Sequence, residues 1–113
     1  VYLDFWATWC GPCVAEFPHA AQLRQQFVGK DVAFVYVSVD DDLSRWSTYV
    51  MLQGGQGIHL NTPGLKSTMA QAYNLKAVPR YMLIDRQGMI ADSNAKKPSE
   101  EGIAGDIERL LGE

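Results

Sequence analysis

The sequence predicts an α/β sandwich in which one central mixed β-sheet is flanked by helices, with elements in the order β-α-β-(insertion)-α-β-β-α. Two nearly continuous apolar runs, at residues 1–6 and 32–39, are typical of central strands covered on both faces. The segment between them has helical spacing, and strand-helix-strand with short links implies a right-handed parallel crossover. A chain of 113 residues, 47% of them apolar, fits one domain with a single hydrophobic core.

The first predicted helix runs from about Pro12 to Val28 and carries two adjacent apolar stripes. One stripe contains Phe17, Ala21 and Val28, and the other contains Ala20, Leu23 and Phe27. Residues 41–64 are predicted to be an insertion between core elements. It contains an amphipathic helix around Leu43, Trp46 and Val50, a glycine-rich loop and a short apolar segment at residues 58–60.

The last part of the chain is predicted to hold a short helix, a β-hairpin and a final helix. The short helix covers residues 65–73, and residues 81–85 and 89–92 flank Arg86-Gln87-Gly88 as the two strands of the hairpin. Ser99 is predicted to cap the last helix, whose apolar residues at helical spacing are Ile103, Ile107, Leu110 and Leu111.

The charge pattern argues against two classes of partner. The net charge is -3, and the lysines and arginines are scattered, so we expect no nucleic acid and no anionic membrane as a partner. No apolar run approaches the roughly 18 residues of a membrane span. Because the chain opens at Val1 inside a strand-like run without an initiator Met, we expect the mature or C-terminal part of a longer protein, with any anchor in the missing sequence.

The only two cysteines, Cys10 and Cys13, lie in the motif TWCGPC. Structural zinc needs four ligands, whereas His19 and His59 stand alone, although copper(I) on paired thiolates leaves a metallochaperone as an alternative. A structural disulfide across so short a loop would remove little entropy from the unfolded chain. Thiol-disulfide exchange fits the surroundings best, because the motif lies where a strand ends and a helix begins.

A helix start gives the two cysteines different environments. Unpaired backbone N–H groups and the positive end of the helix dipole favour a thiolate at Cys10, which we expect to face solvent and to attack. Pro12 is compatible with the first helical turn. Cys13, one turn onward, is within bridging distance and turns toward the core, so we expect it to resolve the mixed disulfide.

A buried Cys13 thiol needs a proton acceptor, and two acids are candidates. Asp4 lies in an apolar strand, where an unpaired charge costs several kcal/mol; the alternative is an Asp satisfied by a backbone N–H or a buried water. Glu16 follows Cys13 by three residues and projects from nearly the same helical face; the alternative is a solvated helix residue. The residues alone leave the choice between the two acids open.

With WCGPC at a strand-to-helix turn, Asp4 six residues before Cys10, Pro18 five residues after Cys13, and Val78-Pro79 before the strand YMLID, the sequence resembles the thioredoxin superfamily. The runs LDFWATWCGPCVAEFP and VPRYMLIDRQG resemble its TlpA/ResA-like branch. This resemblance implies a thioredoxin-like fold, a cis Pro79 opposite the cysteine pair, and no cofactor apart from the redox-active disulfide. The lysine that neighbours the buried acid in thioredoxins falls near Tyr36 here, so a raised pKa is expected for Asp4. That pKa would make Asp4 a better proton acceptor near neutral pH, or leave it protonated and inert.

The resemblance also implies a thiol-disulfide oxidoreductase that acts on protein disulfides and receives electrons from an upstream thiol donor. It further implies a reductant, periplasmic or membrane-anchored and facing the periplasm, with a cytoplasmic location as the alternative. A thiol peroxidase of the same fold is a further alternative. Arg80 would bond substrate or remain a solvated strand-end charge. The residues expected to contact substrate are Trp9, Gly11, Pro12, Val78, Pro79 and Arg80.

Overall fold

The computed structural model describes all residues, Val1–Glu113. Its strands are β1 Tyr2–Trp6, β2 Phe34–Ser38, β3 Ile58–Asn61, β4 Arg80–Ile84 and β5 Ile90–Asp92. Its helices are α1 Gly11–Ala15, α2 Phe17–Gln26, α3 Leu43–Leu52, α4 Thr68–Ala72 and α5 Ile103–Leu111. None of these helices combines the length and apolar character needed to cross a bilayer.

The five strands form one mixed sheet, as the sequence predicts, and their order in the sheet is β3-β2-β1-β4-β5. Strands β1, β2 and β3 are parallel, whereas β4 is antiparallel to β1 and β5 is antiparallel to β4. The predicted insertion therefore supplies the edge strand β3 in addition to α3. Since β1 ends where β4 begins, the TWCGPC loop and residues 78–79 leave the sheet at the same edge.

Helices cover both faces of the sheet. On one face, the ring of Trp6 in β1 packs against Phe17 of α2 at 4.8 Å and against Tyr49 of α3 at 5.6 Å between ring centroids. On the other face, Phe5 packs against Tyr73, directly after α4, at 5.7 Å. Alternation along β1 places Asp4 on the same face as Trp6, the face that α2 and α3 cover.

The predicted helix over residues 12–28 is two helices, α1 and α2, which meet at Glu16. Pro18 has no N–H to donate to the carbonyl four residues earlier, so the first helix cannot continue through it. Of the two predicted stripes, the one with Ala20, Leu23 and Phe27 is buried. Val28 is exposed because it lies beyond the end of α2.

The predicted cap of the last helix is also wrong. Helix α5 begins at Ile103, and its N-cap is Gly102, whose φ of 98° lies in the left-handed region that favours glycine. Ser99 lies in the turn before it and bonds Glu16 instead. The short fourth helix is trimmed to residues 68–72 because Ser67 caps it, its side chain accepting from the backbone N–H of Ala70 at 3.1 Å.

Candidate active site

The two cysteines lie at the start of α1 and are joined by a disulfide, with their Cα atoms 5.3 Å apart. Cys10 is the N-cap residue in an extended conformation, and its Sγ accepts a hydrogen bond from the backbone N–H of Cys13 at 3.3 Å. Pro12 occupies the first turn, where a missing N–H leaves no helical bond unmade. The predicted bridging geometry of the pair is thus confirmed.

The predicted difference in exposure is smaller than expected. Cys10 is 5% exposed and Cys13 is 1% exposed, so the expectation that Cys10 faces solvent is wrong for the disulfide form. The reason is that Cys10 Sγ turns toward Cys13, to which it is bonded covalently and through the backbone N–H. Trp9 is 58% exposed beside the pair, and Gly11 and Pro12 are also exposed, so these three residues form the accessible surface around the disulfide.

Residues 78–79 lie at the same edge of the sheet as the disulfide. The Val78–Pro79 peptide bond is cis, as the resemblance implied. Strand β4 begins at Arg80, which pairs with Phe5 near the end of β1, so Pro79 stands level with the beginning of the motif loop. Pro79 is exposed and Val78 is half-buried.

Asp4 is 2% exposed, and no protein group donates a hydrogen bond to either of its carboxyl oxygens, so the alternative of a backbone N–H partner is wrong. In the sheet it pairs with Tyr36 of β2 and Tyr81 of β4, and the Tyr81 hydroxyl is also without a partner. Burial, followed by the nearby charge of Glu16, raises the pKa of Asp4 to about 8. Because Tyr36 supplies no positive charge, the raised pKa agrees with the expectation from the sequence.

Glu16 is buried at the junction of α1 and α2, and both of its oxygens are hydrogen-bonded. The backbone N–H of Ser99 donates to Oε1 at 2.9 Å, and the Ser99 hydroxyl donates to Oε2 at 2.7 Å. The alternative of a solvated helix residue is therefore wrong. The fold brings Asp4 and Glu16 close enough to interact electrostatically, but only Asp4 is free of hydrogen bonds.

Arg80 is neither a solvated charge nor a free donor. Its guanidinium donates to the carbonyls of Tyr73 and Asn74 at 3.1 and 2.8 Å, and to the carbonyl of Ser93 at 3.0 and 2.8 Å. The side chain thus ties the end of α4 and the segment after β5 to the start of β4. This arrangement replaces the expected solvated charge and leaves fewer donors for a substrate than the sequence suggested.

One cluster near the motif was missed in the sequence. The buried carboxylate of Asp40, directly after the apolar run that contains β2, accepts hydrogen bonds from Thr8 of the TWCGPC loop and from Ser38. An acid at the carboxyl end of a buried parallel strand is a usable signal, because such ends meet at one edge of a sheet. His19 is exposed, and His59 lies on the edge strand β3.

Curated relatives of the chain are thiol-disulfide oxidoreductases by name. ResA from Bacillus subtilis (strain 168) is 31% identical over 93 residues, covering 80% of this chain and 49% of the relative. ResA from Bacillus thuringiensis (strain Al Hakam) is 25% identical over 118 residues, covering 97% of this chain and 62% of the relative. The chain therefore spans about half to somewhat under two thirds of these relatives.

Solved structures and a family model give the same assignment. A Bacteroides vulgatus protein assigned as a thiol-disulfide oxidoreductase superposes with a TM-score of 0.85 at 38% identity, covering 98% of this chain and 72% of that protein. A thiol-disulfide oxidoreductase from Bacteroides fragilis NCTC 9343 superposes with a TM-score of 0.81 at 25% identity, covering 96% and 79%. A family model described as "Thioredoxin-like" matches residues 1–90. With its five-stranded sheet and its cysteine pair at a helix start, the chain belongs to the thioredoxin-like family and is similar to its ResA members.

Proposed function

We propose that this protein is a thiol-disulfide oxidoreductase that exchanges electrons with disulfides of other proteins through the Cys10–Cys13 couple. The observation that carries the proposal is the pair itself: the only two cysteines form a disulfide at the start of α1, beside the exposed Trp9. The names of the ResA relatives and of the Bacteroides structures support the same activity.

The reduced protein transfers two electrons in two exchange steps. The Cys10 thiolate attacks one sulfur of a partner disulfide, so that a Cys10–partner bond forms and the partner's S–S bond breaks, releasing one partner thiolate. The Cys13 thiolate then attacks Cys10 Sγ. This step forms the Cys10–Cys13 disulfide and releases the second partner thiolate, which leaves the partner reduced and the protein oxidised.

In this mechanism Asp4 takes the proton of Cys13. Its carboxyl group is buried without a hydrogen bond from the protein, and its pKa of about 8 leaves roughly a tenth of it ionised at pH 7, the fraction that accepts the proton. Glu16 follows Cys13 by three residues, but both of its oxygens are occupied by Ser99. We assign Glu16 to holding the turn before α5 against the site and to raising the pKa of Asp4.

The substrate segment lies across the accessible surface around the disulfide. The backbone of Val78 beside Pro79 offers strand-like hydrogen bonds to an extended peptide. The exposed rings and backbone around Cys10 supply the remaining contacts, from Trp9, Gly11 and Pro12. Arg80 keeps this segment in place through its bonds to three backbone carbonyls rather than by touching substrate.

The proposed direction is reduction of the partner, and the proposed location is the periplasm, free or membrane-anchored. The Gly-Pro pair between the cysteines resembles that of reducing thioredoxins, and the branch resemblance supports the location together with an upstream thiol donor. Measuring the reduction potential of the Cys10–Cys13 pair tests the direction. A value near the roughly -270 mV of thioredoxin would support reduction of the partner. A potential near the roughly -120 mV of a dedicated oxidant would contradict it.

Single-cysteine variants test the mechanism in an insulin reduction assay. Cys10→Ser is expected to lose all activity, because it removes the attacking thiolate. Cys13→Ser is expected to lose turnover and to accumulate a mixed disulfide between Cys10 and the substrate, detectable as a mass adduct that dithiothreitol releases. Full activity in either variant, or an adduct on Cys13 in the Cys10→Ser protein, would rule the mechanism out.

A further inference from the structure

The carboxylate of Asp40 is buried directly behind the motif loop. It is 2% exposed, and every hydrogen bond it accepts comes from a neutral group. The backbone N–H of Thr8 donates at 3.0 Å to one oxygen and at 3.2 Å to the other, the Thr8 hydroxyl donates at 2.6 Å, and the Ser38 hydroxyl donates at 2.5 Å. The negative charge is thus hydrogen-bonded but is not neutralised by any cation.

The surroundings of Asp40 fix it to two strands. Its own backbone N–H donates to Ser38 Oγ at 2.9 Å, and its backbone carbonyl accepts from the Asn61 side chain of β3 at 3.0 Å. Asn61 also donates to the Ser38 carbonyl at 3.3 Å. The ends of β2 and β3 therefore hold Asp40, and Asp40 in turn holds Thr8 of the motif loop.

We propose that Asp40 is a positioning residue for Cys10, fixing the loop that presents its sulfur and placing an uncompensated negative charge behind it that disfavours the Cys10 thiolate. This inference rests on the proposed role of Cys10 as the attacking thiol. Disfavouring the thiolate destabilises the reduced form of the pair, so Asp40 makes the protein a stronger reductant. The inserted strand β3 contributes to this effect through Asn61.

The expected effect of the Asp40 charge on the pKa of Cys10 follows from the distance between the two side chains. Thr8 is two residues before Cys10, and because successive Cα atoms are about 3.8 Å apart, Asp40 lies on the order of 10 Å from Cys10. One charge at that range, with the dielectric screening typical of proteins, changes a protonation equilibrium by roughly threefold to tenfold.

The other buried acids, Asp4 and Glu16, and the carbonyl-bonded Arg80 are unchanged in every variant below.

The test compares Asp40→Asn with Asp41→Asn. Asn keeps the shape of Asp40 and removes its charge, whereas Asp41 is the next residue, is exposed and loses the same charge. The pH dependence of Cys10 alkylation by iodoacetamide in the reduced protein, read by mass spectrometry, gives the pKa of Cys10. We expect D40N to lower that pKa by roughly half to one unit, and D41N by less than a third as much, because water screens its charge.

The reduction potential provides a second reading. Above the pKa of Cys10, a threefold to tenfold stabilisation of the thiolate makes the D40N pair more oxidising by roughly 15 to 30 mV, at about 30 mV per tenfold change. Thr8→Val removes one hydrogen bond but leaves the charge, so it is expected to lower stability without lowering the pKa of Cys10. A T8V shift equal to that of D40N would assign the effect to loop structure and overturn the proposal.

Two further outcomes would overturn it. One is a D40N protein in which the pKa of Cys10 equals that of the wild type or of D41N. The other is a failure to fold of both D40N and Asp40→Thr, which would assign Asp40 to folding alone. The pKa of Cys10 is measured without any protein substrate, so a wild-type protein that fails to reduce insulin would reject the proposed function without deciding this inference.

Discussion

Two buried acids near the motif, Asp4 and Glu16, differ in their hydrogen bonds, and the proposed roles rest on that difference. Glu16 has donors on both oxygens, whereas Asp4 has none. Releasing a proton acceptor from its donors costs free energy, so the unbonded acid is the better acceptor. This difference supports the proposed assignment of the acceptor to Asp4, which spacing in the sequence leaves open between the two acids.

Replacing Asp4 by Asn is expected to slow the second exchange step, in which Cys13 releases the substrate. General-base assistance is worth on the order of 100-fold or more when the base is ionised. With a pKa of about 8, Asp4 is ionised in about a tenth of the molecules at pH 7, so we expect a loss of about tenfold there. The loss shrinks at high pH as the Cys13 thiol ionises unaided. Quenched single-turnover reactions that follow the decay of the mixed disulfide measure this rate. If Glu16→Gln slows the step more than Asp4→Asn does, the two acids have been assigned in the wrong order.

The motif residues could be predicted from sequence, but their partners could not. Cys10, Cys13 and Asp4 are identified by residue type and local spacing. Ser99 bonds Glu16 across 83 residues, and its position before an apolar helical pattern favoured a cap instead. The burial of Cys10 in the disulfide form depends on packing around the turn, which a helix-start pattern does not describe.

At the scale of single elements, periodicity predicted where helices and strands exist better than where they end. The apolar spacing over residues 12–28 does not show the break at Glu16, although Pro18 was present as a signal. The hairpin of β4 and β5 was predicted nearly to the residue, because Arg86-Gln87-Gly88 supplies a turn between two strand-like runs. Local residue types determine both the helix break and the hairpin turn. The turn has one dominant sequence signal, whereas the signal of Pro18 competes with an apolar pattern that continues past it.

Arg80→Gln is expected to destabilise the protein by about 1 to 3 kcal/mol. The change removes charged donors that join the end of α4 and the Ser93 carbonyl to the start of β4, and hydrogen bonds from charged groups are worth about that much. Urea unfolding followed by circular dichroism measures the difference. Arg45→Gln is the matched control, since Arg45 is exposed on α3 and is expected to change stability by less than about 0.5 kcal/mol. Equal effects of the two substitutions would contradict the role given to Arg80.

For the whole molecule, the buried Asp4 makes stability depend on pH. Its pKa is about 8 in the folded protein against an ordinary value of 3.8, so between these values the folded state binds more protons than the unfolded state. Stability contributed by the protonated acid is therefore present at low pH and is lost as the pH rises toward 8.

Asp4→Asn is expected to remove this loss, leaving the variant more stable than the wild type by about 1 to 4 kcal/mol at pH 8 and by much less at pH 5. Urea unfolding of the oxidised proteins at the two pH values measures it. A stability difference that does not change between pH 5 and pH 8 would show that Asp4 has no raised pKa.

The overall architecture could be predicted because its signals are distributed along the chain. Two buried runs separated by a helical pattern define the parallel core, and the apolar segment at residues 58–60 marks the strand that β3 forms. The Asp40 cluster was missed for the opposite reason. The contacts of Asp40 come from three segments, around Thr8, Ser38 and Asn61, which only the folded sheet brings to one edge.

The bond between Glu16 and Ser99 has a consequence for the order in which the protein is synthesised. Both cysteines precede Glu16 in the chain, whereas Ser99 follows Glu16 by 83 residues. At roughly 5 to 20 residues per second, a ribosome needs on the order of 4 to 17 s to add that length. Strand β4, which borders β1, is also made late. The reactive pair therefore leaves the ribosome well before its enclosure exists, and its thiols are open to oxidants and to other nascent chains for that interval.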